Sequence, residues 1–580
     1  MAQPHIMTHL PVRMESLPHV HTLLDCARNL SENAADRTAL TLITPDAART
    51  ITYREFFEQA ARYARALEKV GAQPHDLVVL VLQHGEEVLF GFWGAMLLGA
   101  VPSIMPFLTP KLDPDHYYGS IRKLVELSAV KAVITYPDMQ PSLEHHLDGI
   151  STLAAILNID DLEPEGALED YLDRAPSRPE DTAFLQHSSG STGLQKGVML
   201  SHGAVLNQIA AYSESIRLAP QDVIVSWLPL YHDMGLIAGF ITPIVQGVHL
   251  VLMSPFHWVR DPFVLLQAIH QHRGTLCWLP NFAYNFLATR IRPSVLDGLD
   301  LSSLRALINC SEPVRHDSHL TFAAKFSAYG LDSHTLQTCY AMAENTFAVT
   351  QSRIDQPPNV DIIDRKAMME QRIARPADDT NESTMAMVSC GRPIAYTEIR
   401  IVDAERRDLT DRHVGEIALR SNCMLTGYYH REEATAKALE NGWYYTGDLG
   451  YVADGELYIT GRQKDLIIVG GKNIYPQDIE NILNEVPGVH PGRTVAFGVL
   501  NDQLGTEDIA VICEVETEDD DEQAQITREI RTRIAQTTDV MAHYVHLVGP
   551  MWLLKTSSGK IARSANRDKF LKEVLNRNGA

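Results

Sequence analysis

Near the amino terminus, hydrophobic residues recur at helical spacing in one segment and run without interruption in the next. Thr52-Tyr53-Arg54-Glu55 has the form of a capping box, and the periodic apolar positions that follow it end at Gly71. Residues 77–82 are all apolar, which is typical of a strand covered on both faces. The sequence therefore predicts an amphipathic helix followed by a buried strand.

The same alternation returns further along the chain. Apolar stretches of strand length lie near residues 130–134, 223–227 and 304–308, with helical patterns between them. Residues 88–107 carry no charge over a length that could cross a membrane, but glycines interrupt them. Gly99-Ala100-Val101-Pro102 indicates a helix end followed by a strand, so we expect no transmembrane span. The fold class predicted is α/β, with a large amino-terminal region of several subdomains.

The pattern changes near residue 460. Asp454-Gly455 between two apolar stretches predicts a hairpin, and the polar residues 461–465 after it are a candidate linker. We expect a large domain over residues 1–461 and a small, mobile α+β domain over residues 462–580. In the latter we expect strands near 494–497 and 509–515, a helix near 525–534, and a solvated loop at the acidic residues 516–522.

Composition and charge narrow the possible partners. With 45% hydrophobic and 21% charged residues the chain is globular rather than disordered. A formal net charge of −23 argues against a nucleic-acid partner, since phosphate backbones require clustered Lys and Arg. The seven cysteines lie far apart, which favours reduced, buried thiols over disulfides or a zinc site. No secretory signal is evident, and a cytoplasmic location is expected.

A loop rich in glycine and hydroxyl groups follows the apolar residues 183–185. Such a loop can bring backbone N–H groups and side-chain donors around phosphate oxygens, and its lysine adds positive charge. It is not a Walker A loop, because the Lys-Ser/Thr pair after the last glycine is absent. Its candidate phosphate-binding residues are Ser188, Ser189, Gly190, Ser191, Thr192, Gly193 and Lys196.

This loop resembles that of the adenylate-forming superfamily, which comprises acyl-CoA synthetases, peptide-synthetase adenylation domains and luciferases. The resemblance covers nearly the whole chain, because the later motifs of that family follow in the same order. It implies ATP and Mg²⁺ as cofactors, with Glu344 and Thr192 as magnesium ligands. It also implies that the loop closes over the β- and γ-phosphates of ATP.

The resemblance assigns roles to the later motifs. His232, within residues 228–236, would lie beside the reacting acid, although a histidine among apolar residues is by itself more often a core side chain. Tyr340 would stack on adenine and Asp448 would accept both ribose hydroxyls, with Arg462 near the same sugar. The nucleotide would also be contacted by Ser311, Glu312, Pro313, Ala341, Met342 and Asn345.

Two lysines complete the implied machinery. Lys464 matches the hinge of the family, and Lys560, in the loop 555–561, would bridge the carboxylate of the acid and the α-phosphate. Leu554 stands where relatives usually carry proline. The catalytic residues expected are therefore Lys560, His232 and Glu344.

The segment after Glu344 suggests a branch of the superfamily. An insertion at about residues 352–386 resembles that of the fatty acyl-AMP ligases, which pass the acyl group to an acyl carrier protein. The alternative for the insertion is a tolerated surface loop. The substrate expected is a fatty acid in a tunnel that involves Leu236, Gly239, Asn281 and Phe282. Two rival functions stay open, an acyl-CoA or aryl-CoA ligase and a non-catalytic sensor of adenylate or fatty acid.

Overall fold

The computed structural model describes residues 20–108, 114–162, 167–174, 177–188, 196–378, 384–469, 472–501, 506–538, 540–556 and 559–575. Its α-helices are α1 Leu23–Asn33, α2 Tyr53–Lys69, α3 Glu86–Leu97, α4 Pro114–Leu127, α5 Gln140–Leu147, α6 Glu169–Leu172, α7 His202–Ser215, α8 Thr242–Gln246, α9 Pro255–Arg260, α10 Phe263–His272, α11 Asn281–Arg290, α12 His316–Phe326, α13 Arg365–Gln371, α14 Glu432–Ala438, α15 Pro476–Asn484, α16 Asp520–Thr538 and α17 Arg563–Phe570. Two π-helical segments, Met234–Ile241 and Leu571–Leu575, accompany them.

The strands are short in the first half of the chain and longer in the second. They are β1 Thr38–Ile43, β2 Ala48–Thr52, β3 Leu77–Leu80, β4 Val101–Ile104, β5 Ala132–Thr135, β6 Ala155–Asn158, β7 Thr182–Ser188, β8 Lys196–Ser201, β9 Val223–Ser226, β10 His249–Met253, β11 Leu276–Leu279, β12 Ala306–Asn309, β13 Leu336–Ala341, β14 Ala348–Gln351, β15 Val360–Asp364, β16 Thr384–Val388, β17 Arg392–Pro393, β18 Thr397–Val402, β19 Gly415–Ser421, β20 Gly427–Tyr428, β21 Leu439–Glu440, β22 Trp443–Ala453, β23 Glu456–Arg462, β24 Ile467–Val469, β25 Lys472–Ile474, β26 Val489–Asn501, β27 Thr506–Val515 and β28 Ala542–Val548.

A nine-stranded sheet organises the large amino-terminal part, in the order β17-β14-β13-β12-β11-β9-β10-β1-β2. From β13 to β1 the neighbouring strands are parallel, whereas β2, β14 and β17 pair antiparallel at the edges. A second, parallel sheet has the order β4-β3-β5-β6. Alternating helices and parallel strands confirm the predicted α/β class, and the predicted apolar strands lie within one or two residues of their expected positions.

The second half of the chain is mainly antiparallel. Strands β18, β19, β22, β21 and β23 form one sheet, and β20 pairs with β8 beside β7. The hairpin predicted at Asp454-Gly455 is confirmed, because β22 and β23 pair across these two residues and both have positive φ, 54° and 76°. After it, β26-β27-β28 form a small sheet that packs with α15, α16 and α17.

Two local predictions differ from the structure. Thr52 caps α2 through the N–H of Glu55 at 3.2 Å, but Glu55 pairs with Arg49 instead of completing the capping box. The acidic residues 516–522 are not a loop throughout, because Asp520 begins α16. Carboxylates in a first helical turn are favourable beside the positive end of the helix dipole, which accounts for the helix reaching this far back.

The remaining general predictions fit the structure. All seven cysteines are buried free thiols. Residues 88–107 divide into the buried helix α3 and the strand β4. Within the described part of the chain, no helix is both long and apolar enough to cross a membrane.

Close packing of α2 on α3 requires a glycine at position 94. A Cβ atom there would lie 2.5 Å from the carbonyl oxygen of Ala60 and 2.5 Å from Cβ of Tyr63. We expect Gly94→Ala to lower the free energy of unfolding by about 1–3 kcal/mol, since backbone cannot yield to the added methyl group. Gly119 in α4 is the matched control, because a Cβ atom at that position would have no other atom within 4 Å. Gly119→Ala should leave stability unchanged or raise it by about 1 kcal/mol; equal effects of the two changes in urea denaturation would contradict this packing requirement.

Candidate active site

The predicted site residues follow neighbouring strands of the nine-stranded sheet at one edge. Ser311 comes after β12, Met342 after β13 and Asn281 after β11. Since these strands are parallel neighbours, their carboxyl ends meet at the same edge, where ligands bind in open α/β sheets. The topology thus brings together side chains that are distant in sequence.

Tyr340, Asp448 and Arg462 form one polar network. The Tyr340 hydroxyl donates to Oδ2 of Asp448 at 2.7 Å, and Nε of Arg462 donates to Oδ1 at 3.1 Å. Asp448 pairs with Arg462 across β22 and β23, which fixes their separation. The nearby Asp448 carboxylate raises the pKa of Arg462, and burial followed by the same carboxylate raises the pKa of Tyr340. Both oxygens of the Asp448 carboxylate are therefore held in place by a hydrogen-bond donor.

Glu344 belongs to a second polar group, near Lys196 at the start of β8. Its Oε1 accepts from the Tyr428 hydroxyl at 2.9 Å, and Tyr428 lies 3.1 Å from the hydroxyl of Tyr444. Nζ of Lys196 stands 4.6 Å from the centroid of the Tyr428 ring. Pairing of β20 with β8 holds Tyr428 opposite Val198. In this position Tyr428 contacts both Lys196, through its ring, and Glu344, through its hydroxyl.

Lys560 reaches the carboxyl edge of the nine-stranded sheet from the far end of the chain. Its Nζ donates to the carbonyl oxygen of Ser311 at 2.5 Å. Ser311 has a φ of 68°, an uncommon conformation for a residue with a side chain, and this turns the peptide after β12. Ser311 and Lys560 are 249 positions apart, and the structure brings them into direct contact.

Hydrogen bonds hold the loop that carries Lys560 in place. Thr556 donates its N–H to the carbonyl of Lys560 at 2.7 Å, and Gly559 donates to Thr556 at 2.8 Å. Leu554 donates its N–H to Oδ1 of Asn566 at 2.8 Å, and Nδ2 of Asn566 donates back to the Leu554 carbonyl at 2.8 Å. Proline at position 554 could not make the first of these bonds. The departure from the usual proline therefore supplies an additional anchor.

His232 and Asp233 are half-buried and lie near enough to Lys560 to feel its charge. Burial, with a smaller contribution from the Lys560 cation, lowers the pKa of His232 to about 3, so that its imidazole is neutral at pH 7. Its Nε2 is buried and has no hydrogen-bond partner among the described residues. Burial raises the pKa of Asp233. The positive charge of Lys560 acts to lower this pKa, and the negative charge of Glu344 acts to raise it. His232, Asp233, Glu344 and Lys560 thus influence one another electrostatically within one site.

The predicted acyl residues lie next to this group. Leu236 and Gly239 are on the π-helical segment Met234–Ile241, which is buried throughout. A Cβ on Gly239 would lie 2.6 Å from Oγ of Ser226, so glycine permits this segment to approach the end of β9. π-Helical turns recur at functional sites.

Asn281 and Phe282 begin α11 and connect it to the turn that follows β12. Oδ1 of Asn281 already accepts from the N–H of Arg315 at 3.1 Å and from Nδ2 of Asn309 at 3.0 Å. The Phe282 N–H donates to Oε2 of Glu312 at 3.0 Å. Asn281 therefore positions the turn through its carbonyl oxygen, while the Phe282 ring is 42% exposed.

The other predicted residues divide into two groups. Asn345 is fully buried and binds the protein itself, accepting from Ser421 at 2.5 Å and donating to the Ala348 carbonyl at 2.7 Å. Ala341 and Met342 are half-buried, and Pro313 is exposed beside Ser311. Ser188 ends β7, but its side chain and the whole of Ser189, Gly190, Ser191, Thr192 and Gly193 lie outside the described residues.

Sequence reasoning missed Tyr428, Tyr444 and Asp233 as members of the site. Asp233 adjoins His232, and Tyr444 lies four positions before Asp448. Their places within these two motifs could have indicated that they belong to the site. Tyr428 carried no such signal, because only the pairing of the two-residue strand β20 with β8 brings it to Glu344.

The insertion segment, which we define as residues 352–386, contacts both parts of the chain. On one side Oδ2 of Asp361 accepts from Arg412 and from the Tyr451 hydroxyl, each at 2.9 Å. On the other side Arg372 donates to Oδ1 of Asn473 at 2.7 Å, and Met369 packs in the apolar core around β26 and β27. Residues 379–383 of the segment are outside the described residues.

A comparison with known families decides the classification. The family described as AMP-binding enzyme matches residues 27–429. The chain belongs to this family. The resemblance stated from the motifs is thereby confirmed.

Three relatives of this AMP-binding enzyme are informative. The medium-chain-fatty-acid–[acyl-carrier-protein] ligase JamA of Moorena producens is 30% identical over 97% of each chain. A structure from a study of fatty acyl-adenylate ligases of E. coli and L. pneumophila has a TM-score of 0.87 at 29% identity and covers 96% of this chain and 99% of that one. The L. pneumophila fatty acyl-adenylate ligase in complex with acyl adenylate and pyrophosphate has a TM-score of 0.73 at 29% identity over 97% and 98% of the two chains. The predicted architecture of a large amino-terminal and a small carboxyl-terminal domain is confirmed.

Proposed function

We propose that this AMP-binding enzyme is a fatty acyl-AMP ligase. An oxygen of the fatty acid carboxylate attacks the α-phosphorus of ATP, the bond from that phosphorus to the bridging oxygen breaks, and pyrophosphate leaves. The observation that carries the proposal is the contact of Lys560 with Ser311, beside the Tyr340–Asp448–Arg462 network. This contact supports a role for Lys560 at the point where the acid and the α-phosphate would meet.

Each polar group has a role in this reaction. Asp448, oriented by Arg462, would accept the two ribose hydroxyls in charge-assisted bonds. Tyr340 would offer its ring to adenine. Lys560 would neutralise and align the two anions as negative charge builds around the phosphorus. His232, which is neutral at pH 7, would face the acid without adding charge.

Glu344 suits a magnesium ion that also binds phosphates. A hard cation of this kind takes one or two protein carboxylates and keeps oxygen ligands from water and phosphate. The Glu344 carboxylate meets that requirement next to Lys196 and the start of β8. Magnesium would supply neutralisation of the pyrophosphate charge as it departs. The assignment of Thr192 as a second ligand stays a prediction.

We place the hinge between the domains at Lys464, with the small domain beginning at residue 462. Arg563, three positions after Lys560, donates to Oδ2 of Asp465 at 2.8 Å and to both oxygens of Glu480 at 2.8 and 2.9 Å. Asp465 is thus tied to the small domain, while Arg462 is paired with Asp448 in β22. A rotation about Lys464 would move Lys560 away and admit a thiol.

We further propose that the acyl acceptor is the phosphopantetheine thiol of an acyl carrier protein rather than CoA. The insertion segment bridges β22 and β25, so it opposes rotation of the small domain about Lys464. JamA is named for transfer to such a carrier, which supports the choice. Acyl-CoA formation is the rival outcome.

The decisive experiment incubates the protein with MgATP and a panel of fatty acids, alone, with CoA, and with a phosphopantetheinylated carrier protein. Mass spectrometry should detect acyl adenylate in all three mixtures. In the third mixture it should also detect the carrier protein with the acyl group bound to its phosphopantetheine thiol. Abundant acyl-CoA in the second mixture would establish the CoA ligase instead. Absence of acyl adenylate throughout would leave the non-catalytic sensor.

Loss of the Arg372–Asn473 bond should loosen the small domain. We expect Arg372→Ala to increase hydrogen exchange several-fold in β25 and to raise acyl-CoA formation above that of the unchanged protein, because a restraint on rotation is removed. Arg375→Ala is the control, since the Arg375 side chain bonds only Gln371 of its own segment among the hydrogen bonds described. Identical exchange in the two variants would contradict the restraint.

A further inference from the structure

Four large aromatic side chains gather at the carboxyl edge of the nine-stranded sheet, beside the proposed reaction centre. Trp227 follows β9, Trp258 lies on α9 after β10, and Phe282 and Phe286 lie on α11 after β11. These strands are consecutive in the sheet, in the order β11-β9-β10. We call the four residues the aromatic cluster. They therefore lie above adjacent strands although they are distant from one another in the chain.

The two tryptophans form the centre of the cluster. Their rings stack with centroids 3.7 Å apart and planes 9° from parallel. Phe282 meets them edge-on at 6.4 and 6.1 Å, and Phe286 lies 5.3 Å from Trp258. Trp227 is 4% exposed and Trp258 0%, while Phe282 is 42% exposed. The cluster thus has a buried stacked pair and one ring open to solvent.

Two links connect the cluster with the proposed reaction centre. Trp227 shortly precedes His232 in the chain and is part of the apolar run that leads to it. On the other side, the N–H of Phe282 is held by Glu312, next to the Ser311 carbonyl that Lys560 contacts. An acid whose carboxylate lies at Lys560 would therefore extend its chain toward these rings.

Both indole N–H groups of the stacked pair lack acceptors. Nε1 of Trp227 and Nε1 of Trp258 are buried and have no hydrogen-bond partner among the described residues. Buried donors without acceptors are unfavourable, and native proteins tolerate few of them unless a ligand or ordered water completes them. A hydrocarbon chain contains no atom that could do so, whereas an oxygen on the acyl chain could accept from either donor.

We propose that Trp227 and Trp258 recognise a hydroxyl or keto oxygen on the acyl chain, so that the enzyme prefers oxygenated acids to plain fatty acids of equal length. The inference rests on the proposed function and names the substrate class of the same site. The aromatic rings pack against the hydrocarbon part of the chain, and the two N–H groups set the selectivity. A site with buried donors discriminates against an analogue that leaves them unpaired.

The test compares matched acids of several lengths, each with and without a hydroxyl or keto group at defined positions, by acid-dependent pyrophosphate release. We expect at least one oxygenated acid to exceed its plain counterpart by about 10–100-fold in kcat/KM. In Trp227→Phe or Trp258→Phe, which keep an aromatic ring but remove the donor, that ratio should fall toward one. Trp93→Phe is the control, because Trp93 is another buried indole without an acceptor among the described residues, located on α3.

Each outcome decides between the claims. Equal kcat/KM for every oxygenated and plain pair in the unchanged protein would overturn the recognition of oxygen and leave the fatty acyl-AMP ligase intact. A preference that persists in both tryptophan variants, or that Trp93→Phe abolishes equally, would overturn the assignment to the stacked pair. Failure of all acids to yield acyl adenylate would instead overturn the proposed function.

Discussion

Replacing Lys560 with alanine is expected to lower the rate of acyl adenylate formation by roughly 10²–10³-fold, the scale for losing one preorganised charge stabiliser. The lysine contacts Ser311 at the edge where Asp448 and Glu344 also lie, so its positive charge is in place before the two anions meet. Rapid-quench measurement of acyl adenylate would give the rate of the chemical step. Binding of ATP should change much less than that rate, because the proposed nucleotide contacts of Tyr340 and Asp448 are unaffected.

Lys572→Ala provides the control for this variant. Lys572 is an exposed lysine of the same terminal region, on the π-helical segment Leu571–Leu575. Its removal changes the net charge equally and should leave the rate within about twofold of the unchanged protein. Near-normal adenylation by Lys560→Ala, or an equal loss in both variants, would remove Lys560 from the reaction centre.

Asp448→Ala is expected to raise the KM for ATP by about 10–100-fold, since a charged acceptor for two hydroxyl groups is lost. The turnover number at saturating ATP should fall less, because the ribose is remote from the bond that breaks. The change also leaves Arg462 and the Tyr340 hydroxyl without their shared partner. Initial rates over a range of ATP concentrations separate the two constants, and thermal unfolding reports the structural cost.

Asp454→Asn is the matched control for Asp448→Ala. Asp454 lies in the hairpin that joins β22 to β23, its side chain is 92% exposed, and asparagine tolerates its φ of 54°. We expect its KM for ATP to match that of the unchanged protein. An unchanged ATP dependence in Asp448→Ala would exclude the carboxylate from the ribose site.

The individual helices, strands and the hairpin could be predicted from the sequence, because hydrophobic periodicity and turn-forming residues depend only on neighbouring positions in the chain. The buried strand near residues 77–82 and the hairpin at Asp454-Gly455 needed only their own neighbourhood. The helix predicted near residues 525–534 is present, but it begins earlier, at Asp520. A run of carboxylates suggests a solvated loop, and the favourable helix terminus depends on the residues that follow.

The site was predictable only where motifs identify it. Asp448, Glu344 and Lys560 were named from their motifs, yet their mutual contacts depend on strand pairings between distant parts of the chain. Tyr428 illustrates the limit, since two residues of β20 on β8 place it at Glu344. The stacked pair Trp227–Trp258 likewise requires the strand order of the sheet, which sequence periodicity does not encode.

The proposed reaction bonds a carboxylate oxygen of the acid to the α-phosphorus of ATP. A fatty acid labelled with ¹⁸O in both carboxylate positions tests this bond, with the adenylate then captured by a phosphopantetheine thiol and the products weighed. We expect one ¹⁸O atom in AMP and none in pyrophosphate. Unlabelled AMP with ¹⁸O in pyrophosphate, or ADP with ¹⁸O in inorganic phosphate, would show that the acid attacks elsewhere and that no acyl adenylate forms.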